Sequence, residues 1–479
     1  MRRRLSIFVL LGLMAATAGC STGDAKKNAP TYKLPEAGTL HDNIQGFTAR
    51  DISYALYLPK KFIPGGTTAG SGKGNTLKAG IRRWPVIVAF DPHGAGAIPV
   101  KKYMELADRY GFILIGSNNS KNGLPVNETW AIVSALITEV LAVYPVDTSS
   151  FCMAGFSGGS RVAAIAAMDF PIINAVIGCG AGLPGGTLPT VNRFSYFGIV
   201  GTGDFNMGEM LALEEPMTGA GIRHFITTFA GIHTWPPAEV MEEAIRWNLL
   251  NAMRDRTMPS SDSTVAAILE DMRKKVTVLK AANRLIAASD ACREAAQFAA
   301  GLASAEWFSV ELDRLRKLPA YKNQVDYRNA ILKKESVEQA FLQESLASKD
   351  LPWWNHKVEM MGSKNMKGKN PEDTLMNSRL KAYLSLLCYS YANSAMAHHE
   401  PELASRIISV YEISDPPNPE PNYMKAVLLA GRSENEAALN QIKVAAGKGF
   451  SDKGRMMQQP EFEALKSSPA WFDLLKPMK

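Results

Sequence analysis

Cysteine is scarce in this chain: five in 479 residues, too few and too scattered for a disulfide framework. Neither Cys-x-x-Cys nor His-Glu-x-x-His occurs, so the motifs imply no metal site and no cofactor. Charge of one sign is also thin. The formal net charge is +7, and Arg2, Arg3 and Arg4 supply three of those charges. The +4 left without them is too weak to point to nucleic acid. After Cys20 no continuous apolar run approaches the roughly 18 residues that a membrane-spanning helix needs. What is present is a globular balance, 46% hydrophobic and 21% charged, which excludes a disordered or fibrous chain. The length predicts two or three domains.

The N-terminus reads as an address. Three arginines precede a short apolar stretch, Leu5 to Ala16, too short to cross a bilayer and suited to the apolar part of a signal peptide. Thr17-Ala18-Gly19-Cys20 follows. Small residues before a cysteine resemble a bacterial lipobox, which implies lipid on Cys20 and attachment to the cell envelope. Thr17 stands where such boxes usually carry Leu. Ser21 after the cysteine resembles lipoproteins of the outer membrane that face the periplasm. Residues 21–40 read as a flexible tether.

Residues 41–252 alternate between strand and helix patterns. Asp51 to Pro59 alternates as an early strand. Pro85 to Phe90 is continuously apolar, as a buried parallel strand is. Strands at Phe112–Gly116, Phe151–Ala154, Ala175–Cys179, Tyr196–Val200 and Arg223–Phe229 are interleaved with helical patterns at 100–110, 128–144, 157–168 and 237–251. This alternation predicts a parallel sheet covered by helices on both faces. Gly70-Ser71-Gly72-Lys73 looks superficially like a phosphate loop, but Thr67 and Gly74 occupy positions where that motif needs Gly and Ser or Thr.

Three residues follow predicted strands in an informative order. Gly155-Phe156-Ser157-Gly158-Gly159 joins a strand to a helix, the setting in which G-x-S-x-G presents a nucleophilic serine. Asp204 follows the strand at 196, with Glu209 as a rival acid, and His233 follows the last strand. Ser157 needs a base to take its proton, and His233 needs a carboxylate to fix its tautomer. The amide of Gly158, at a helix N-terminus, is an expected oxyanion donor. The amide of Ala95 or Gly94, in the loop after the strand at 85, is the expected second donor. His93 in that loop reads as structural support. His224 reads as a core or surface residue, and Cys152 and Cys179 as two buried thiols.

On Asp91-Pro92-His93-Gly94, Gly155 to Gly159, Asp204 and Gly231-Ile232-His233-Thr234-Trp235-Pro236, the chain resembles the α/β-hydrolase superfamily. It is similar to polyhydroxybutyrate-depolymerase-like and feruloyl-esterase-like serine esterases, and more loosely to dienelactone hydrolases. Ile232 replaces one Gly of the esterases' Gly-Gly-His-Thr-Trp-Pro. The resemblance covers roughly residues 48–252 and implies a small or polymeric ester as substrate.

Residues 253–264 read as a linker, 265–372 as a helical region and 373–479 as a tetratricopeptide-like helical region. Glu400, Ala404, Ile408 and Val410 recur 34 residues later as Glu434, Ala438, Ile442 and Val444, which is the tetratricopeptide period. Such repeats imply a protein partner. Val325 to Ser348 reads as a long helix, and Lys364 to Asn370 as a solvated loop. His398 and His399 are adjacent, about 100° apart on a helix, and so no metal pair. The expected fold class is an α/β-hydrolase parallel sheet with helices on both faces, followed by an all-α tetratricopeptide-like region. The expected function is a lipid-anchored serine hydrolase of carboxylic esters whose chemistry does not need the second half. The alternatives are an inert hydrolase scaffold whose helices bind a partner, or a serine peptidase on the same fold.

Overall fold

The computed structural model describes residues 33–63, 82–184, 188, 194–362, 370–476 and 478. The signal-like segment, Cys20, Gly70 to Lys73 and residues 364–369 lie outside the described residues.

The first half runs β1 (Leu40–Gln45), β2 (Ser53–Tyr57), β3 (Trp84–Phe90), α1 (Ala97–Tyr110), β4 (Ile113–Ser117), α2 (Val126–Val143), β5 (Val146–Phe156), α3 (Gly158–Asp169), β6 (Ala175–Cys179), β7 (Ser195–Gly203), α4 (Met207–Leu211), α5 (Glu214–Gly219), β8 (His224–Ile232) and α6 (Ala238–Arg254). The strands form an eight-stranded sheet in the order β1-β2-β4-β3-β5-β6-β7-β8. From β4 to β8 every pairing is parallel, while β2 runs antiparallel to both β1 and β4. This order, with β3 and β4 exchanged and the nucleophile turn after β5, is the α/β-hydrolase fold. Sequence patterning misses β1, because Asp42 interrupts the face that Leu40 and Ile44 share and the other face is polar. As an edge strand it has only one neighbour and tolerates this.

The inner parallel strands β3, β4, β6 and β7 and the second half of β5 are buried on both faces, which requires the unbroken apolar runs seen in the sequence. On one face Ile87, Ala89, Cys152, Ala154, Ile177 and Phe197 pack against α1 and α6. α3 packs against β3, β5 and β6. By length and composition α2 could cross a membrane, although its two acidic residues interrupt the apolar pattern. Its Glu139 is buried and accepts hydrogen bonds from the Phe47 and Thr48 amides at 2.8 and 2.7 Å, and Val133, Leu136 and Val140 are buried beside it. These contacts pack one face of α2 into the fold.

The second half is helical: α7 (Asp262–Ala281), α8 (Leu285–Ala299), α9 (Glu306–Lys317), α10 (Pro319–Ser348), α11 (Leu351–Met360), α12 (Pro371–Ala397), α13 (Pro401–Ser414), α14 (Glu420–Gly431), α15 (Asn435–Gly447), α16 (Lys453–Gln458) and α17 (Pro469–Leu475). Local chemistry sets several of the starts. Ser261, Asp350, Asn370 and Asp452 cap α7, α11, α12 and α16 with side-chain oxygens that accept a first-turn amide. Proline opens α10, α12 and α13, where its missing N–H has no acceptor to lose.

The 34-residue recurrence falls on equivalent places in two helix pairs. Glu400 and Glu434 precede α13 and α15, and His399 and Ser433, also 34 apart, both take positive φ (58° and 64°) at the turn between helices. Ala404 and Ala438 are fully buried, as are Ile408 and Ile442, but Val444 is exposed where Val410 is not.

The apolar core does not part at residues 253–264. It runs from the sheet through α6 into Val265, Leu269, Val276, Phe298, Phe308 and Leu315. Separate clusters begin further on, one within α10 from Ile331 to Met424 and one within α14 from Tyr423 to Met478. Pro35–Lys479 accordingly forms one compact unit.

Candidate active site

β5 drives directly into α3, and Ser157 sits at the turn with φ 53° and ψ −121°. A non-glycine residue holds that conformation only under constraint. The constraint is visible: the Ser157 amide donates to the Cys179 carbonyl oxygen (2.8 Å) at the end of β6. The flanking glycines permit it. A Cβ on Gly155 would lie 2.1 Å from the Gly159 carbonyl oxygen, and one on Gly159 would lie 2.0 Å from that of Phe90.

His233, just past β8, has Nε2 2.9 Å from Ser157 Oγ. Its Nδ1 is 2.9 Å from Oδ2 of Asp204, just past β7. Asp204 is 1% exposed, and its Oδ1 accepts the Asn206 amide at 2.9 Å. The imidazole lies between the rings of Phe156 and Phe205, with centroids 4.6 and 4.3 Å away. Glu209 is placed elsewhere: its carboxylate accepts from Arg161 (2.8 Å) and from the Gly182 amide (2.9 Å). The acid beside His233 is therefore Asp204.

Gly158 is the first residue of α3, so its amide has no helical acceptor. Of the two amides considered for the opposite loop, that of Gly94 donates to the Asp91 carbonyl oxygen (3.1 Å) and is spent. This corrects the expectation for Gly94. Ala95 lies on the same loop, and its amide makes no hydrogen bond among the described residues.

Sequence reasoning passed over Asp91. It is 3% exposed, its Oδ2 accepts the Trp235 indole N–H at 2.8 Å, and its Oδ1 accepts the His93 amide at 2.9 Å. It therefore ties the loop after β3 to the segment that carries His233. Lys102 and Tyr103 of α1 extend the tie by donating to the carbonyl oxygens of Trp235 and Pro236. Burial would raise the Asp91 carboxyl, but hydrogen bonds from His93 and Trp235 hold it below its ordinary range. His93 is lifted by its hydrogen bond to Asp91, against the opposing effect of burial. Asp91 opens Asp-Pro-His-Gly and Trp235 stands third in His-Thr-Trp-Pro, two motifs visible in the sequence whose bond to each other is not. Asn122 was also missed: a Cβ on Gly158 would fall 1.8 Å from its Oδ1.

His224 is buried at the start of β8, with Nδ1 2.7 Å from the Ile222 carbonyl oxygen. Cys152 and Cys179 are free and buried. Cys152 pairs in register with Ala175, while Cys179 pairs with Phe156, so the thiols stand four residues apart along the strands. Burial pushes the Cys152 thiol up to about 12.

Ser157 and His233 open into a cavity of about 1250 Å³. Pro92, His93, Lys121 and Asn122 form one wall, and the opposite wall comes from the helical region. Lys381, Ser385 and Tyr389 of α12, Tyr411 of α13, the Asp415–Asn418 loop and Arg455 of α16 line it. This revises the expectation that the second half stands apart from the chemistry.

No family model and no curated protein matches the chain. Among solved structures it is similar to the substrate-bound fluorophosphonate-binding serine hydrolase F of Staphylococcus aureus, at 11% identity and TM-score 0.35, over 45% of this chain and 99% of that one. It is similar to an S-formylglutathione hydrolase of Agrobacterium tumefaciens, at 14% and 0.32, over 43% and 92%. It is also similar to a ferulic acid esterase, at 18% and 0.30, over 43% and 93%. The strand order and the turn at Ser157 are what give this chain the α/β-hydrolase fold.

Proposed function

We propose that the chain is a serine hydrolase that cleaves carboxylic esters through an acyl-enzyme. The observation that carries this reading is the unbroken Ser157–His233–Asp204 hydrogen-bond chain, 2.9 Å at each link. His233 Nε2 accepts the Ser157 proton as Oγ attacks the ester carbonyl, and Asp204 holds the Nδ1 proton and stabilises the imidazolium. The Gly158 amide, with Ala95 as second donor, receives the developing oxyanion. The imidazolium then protonates the departing alcohol. A water, activated by the same His233, returns the serine and releases the acid. The cavity's mixed polar and aromatic wall accommodates an ester far larger than a short acyl chain. We read the helical region as that wall, and Cys20 as a lipid-bearing residue that holds the enzyme at the bacterial envelope.

The test is an active-site serine probe of the fluorophosphonate type together with short-chain aryl esters. The chain should be labelled and should turn over, and Ser157→Ala should lose both while keeping its thermal unfolding. Labelling that survives Ser157→Ala would overturn the assignment. Turnover of an equivalent amide at the ester rate would move the reading to a peptidase.

A further inference from the structure

A buried ion pair lies far from Ser157 in sequence but next to the catalytic acid loop in space. Arg379 of α12 is 1% exposed in its side chain and Glu335 of α10 is 5%. The Arg379 Nε is 2.9 Å from both Glu335 carboxylate oxygens, and Nη2 closes a second contact to Oε2. The remaining guanidinium nitrogen, Nη1, donates to the Thr202 carbonyl oxygen at 2.7 Å. Thr202 is two residues before Asp204. One turn beyond Glu335, Gln339 Nε2 lies 3.5 Å from the Phe205 carbonyl oxygen, and the Phe205 ring packs on His233. The helical region thus grips the backbone on both sides of Asp204.

A buried pair of charges is a poor way to gain stability, because desolvation consumes most of the attraction. An apolar pair of similar volume would pack these helices as well. What an apolar pair could not do is donate to a backbone carbonyl with a rigid, pre-aimed fork. Arginine presents such a fork, and the bidentate carboxylate fixes its direction. Thr202 lies at the end of β7 before the acid loop, where the register with β8 is broken between Gly201 and Gly203 and the ladder alone holds the backbone less firmly. Asp204 must keep its Oδ2 on the His233 Nδ1 proton, and a displacement of the order of an ångström there is felt in the rate.

We propose that Arg379, oriented by Glu335, is a positioning residue that sets the acid loop, so that the helical region completes the catalytic geometry as well as the cavity wall. The proposal rests on the serine-hydrolase reading for its kinetic consequence but not for its spectroscopic one. Removing Arg379 alone would strand the Glu335 carboxylate in the interior, and Arg379→Met is expected to be poorly folded. The informative variant is the full chain carrying Arg379→Met and Glu335→Met together, which removes both charges and keeps the volume.

Two measurements are made on it. The first is the low-field proton resonance of His233 Nδ1, which reports the bond to Asp204 and needs no substrate. It should move upfield or broaden relative to the wild type. The second is ester turnover, where kcat should fall by on the order of 10- to 100-fold with KM within about twofold. Arg379→Lys, which keeps the charge but not the fork, should fall between the two. A folded double variant whose resonance and kcat match the wild type would overturn the proposal. A wild type that shows the low-field resonance but neither turns over esters nor takes the serine probe would overturn the esterase reading instead. The resonance of the double variant would still decide the role of Arg379.

Discussion

In the sheet-bearing region each reactive side chain stands where a strand ends: Ser157 after β5, Asp204 after β7, His233 after β8. Position there is inherited from backbone hydrogen bonding, and each turn needs only a few residues to make it. In the helical region the residues that reach the same cavity come from α12, α13, a Pro-rich loop and α16, and their placement depends on how whole helix pairs stack. The first region carries the hydrogen-bonded Ser157, His233 and Asp204, and the second carries most of the wall around them. The lesson is that chemistry can be local in sequence while the space in which it happens is not.

The sharpest way to break this division is to remove the second region. Residues 35–256 alone are expected to lose ester hydrolysis entirely, the reverse of what the sequence suggests. Cutting there strips the cover from Met241, Ile245 and Met253, which share one core with α7 and α8, and deletes Arg379. Soluble yield and turnover of a short aryl ester would measure it. A soluble fragment with full activity would show the helices to be dispensable for catalysis. Next in size is Asp204→Asn, which should lower kcat by on the order of 10⁴-fold by presenting the wrong hydrogen-bonding face to His233. Steady-state kinetics on the full chain reads it, and a loss under tenfold would remove Asp204 from its role.

Most of the sheet was legible because parallel strands must be apolar on both faces, so β3, β4, β5, β6 and β7 announce themselves as short unbroken runs. The nucleophile turn was legible because close backbone approach leaves glycine alone at positions 155 and 159. β1 was not legible, because Asp42 breaks the face that Leu40 and Ile44 share. The continuity of the core across residues 253–264 was not legible either. Pro259, Ser260 and Ser261 signal a turn, and a turn between packed helices uses the same residues as a linker between domains. Asp91 was hidden for a different reason. Its meaning lies in a bond to Trp235, 144 residues away, and no local pattern encodes that.

Asp91→Asn tests the tie between the two loops and is expected to lower kcat about tenfold, through a less firmly held His233 segment. It also has a pH signature. The folded-state carboxyl titrates below its ordinary value of 3.8, so its contribution to stability is complete above that value and fades as the pH falls through the lower, folded-state value. Asparagine cannot titrate. Asp91 also raises His93, whose protonation adds to that contribution, so the difference in melting temperature between wild type and Asp91→Asn should be largest between about pH 4 and 6 and shrink below about pH 4. A difference independent of pH would mean that the hydrogen bonds to Asp91 do not depend on its charge.

The smallest effect is expected at Glu209, and it sharpens the comparison from inside the sheet region. Glu209 and Asp204 lie five residues apart at the same end of the sheet, and both are carboxylates with a backbone amide bonded to them. They differ in what else they meet. Asp204 is buried against His233, whereas Glu209 pairs with Arg161 where both side chains are about a third exposed. Water screens that pair, so the attraction that Glu209→Gln removes is worth at most about 1 kcal/mol. The glutamine amide oxygen can still accept the Gly182 N–H. The variant should therefore keep kcat within about twofold and lose no more than a few degrees of melting temperature. A fall in kcat approaching that of Asp204→Asn would mean that His233 turns to Glu209 during the reaction, and that the short Asp204 contact belongs to the resting enzyme alone.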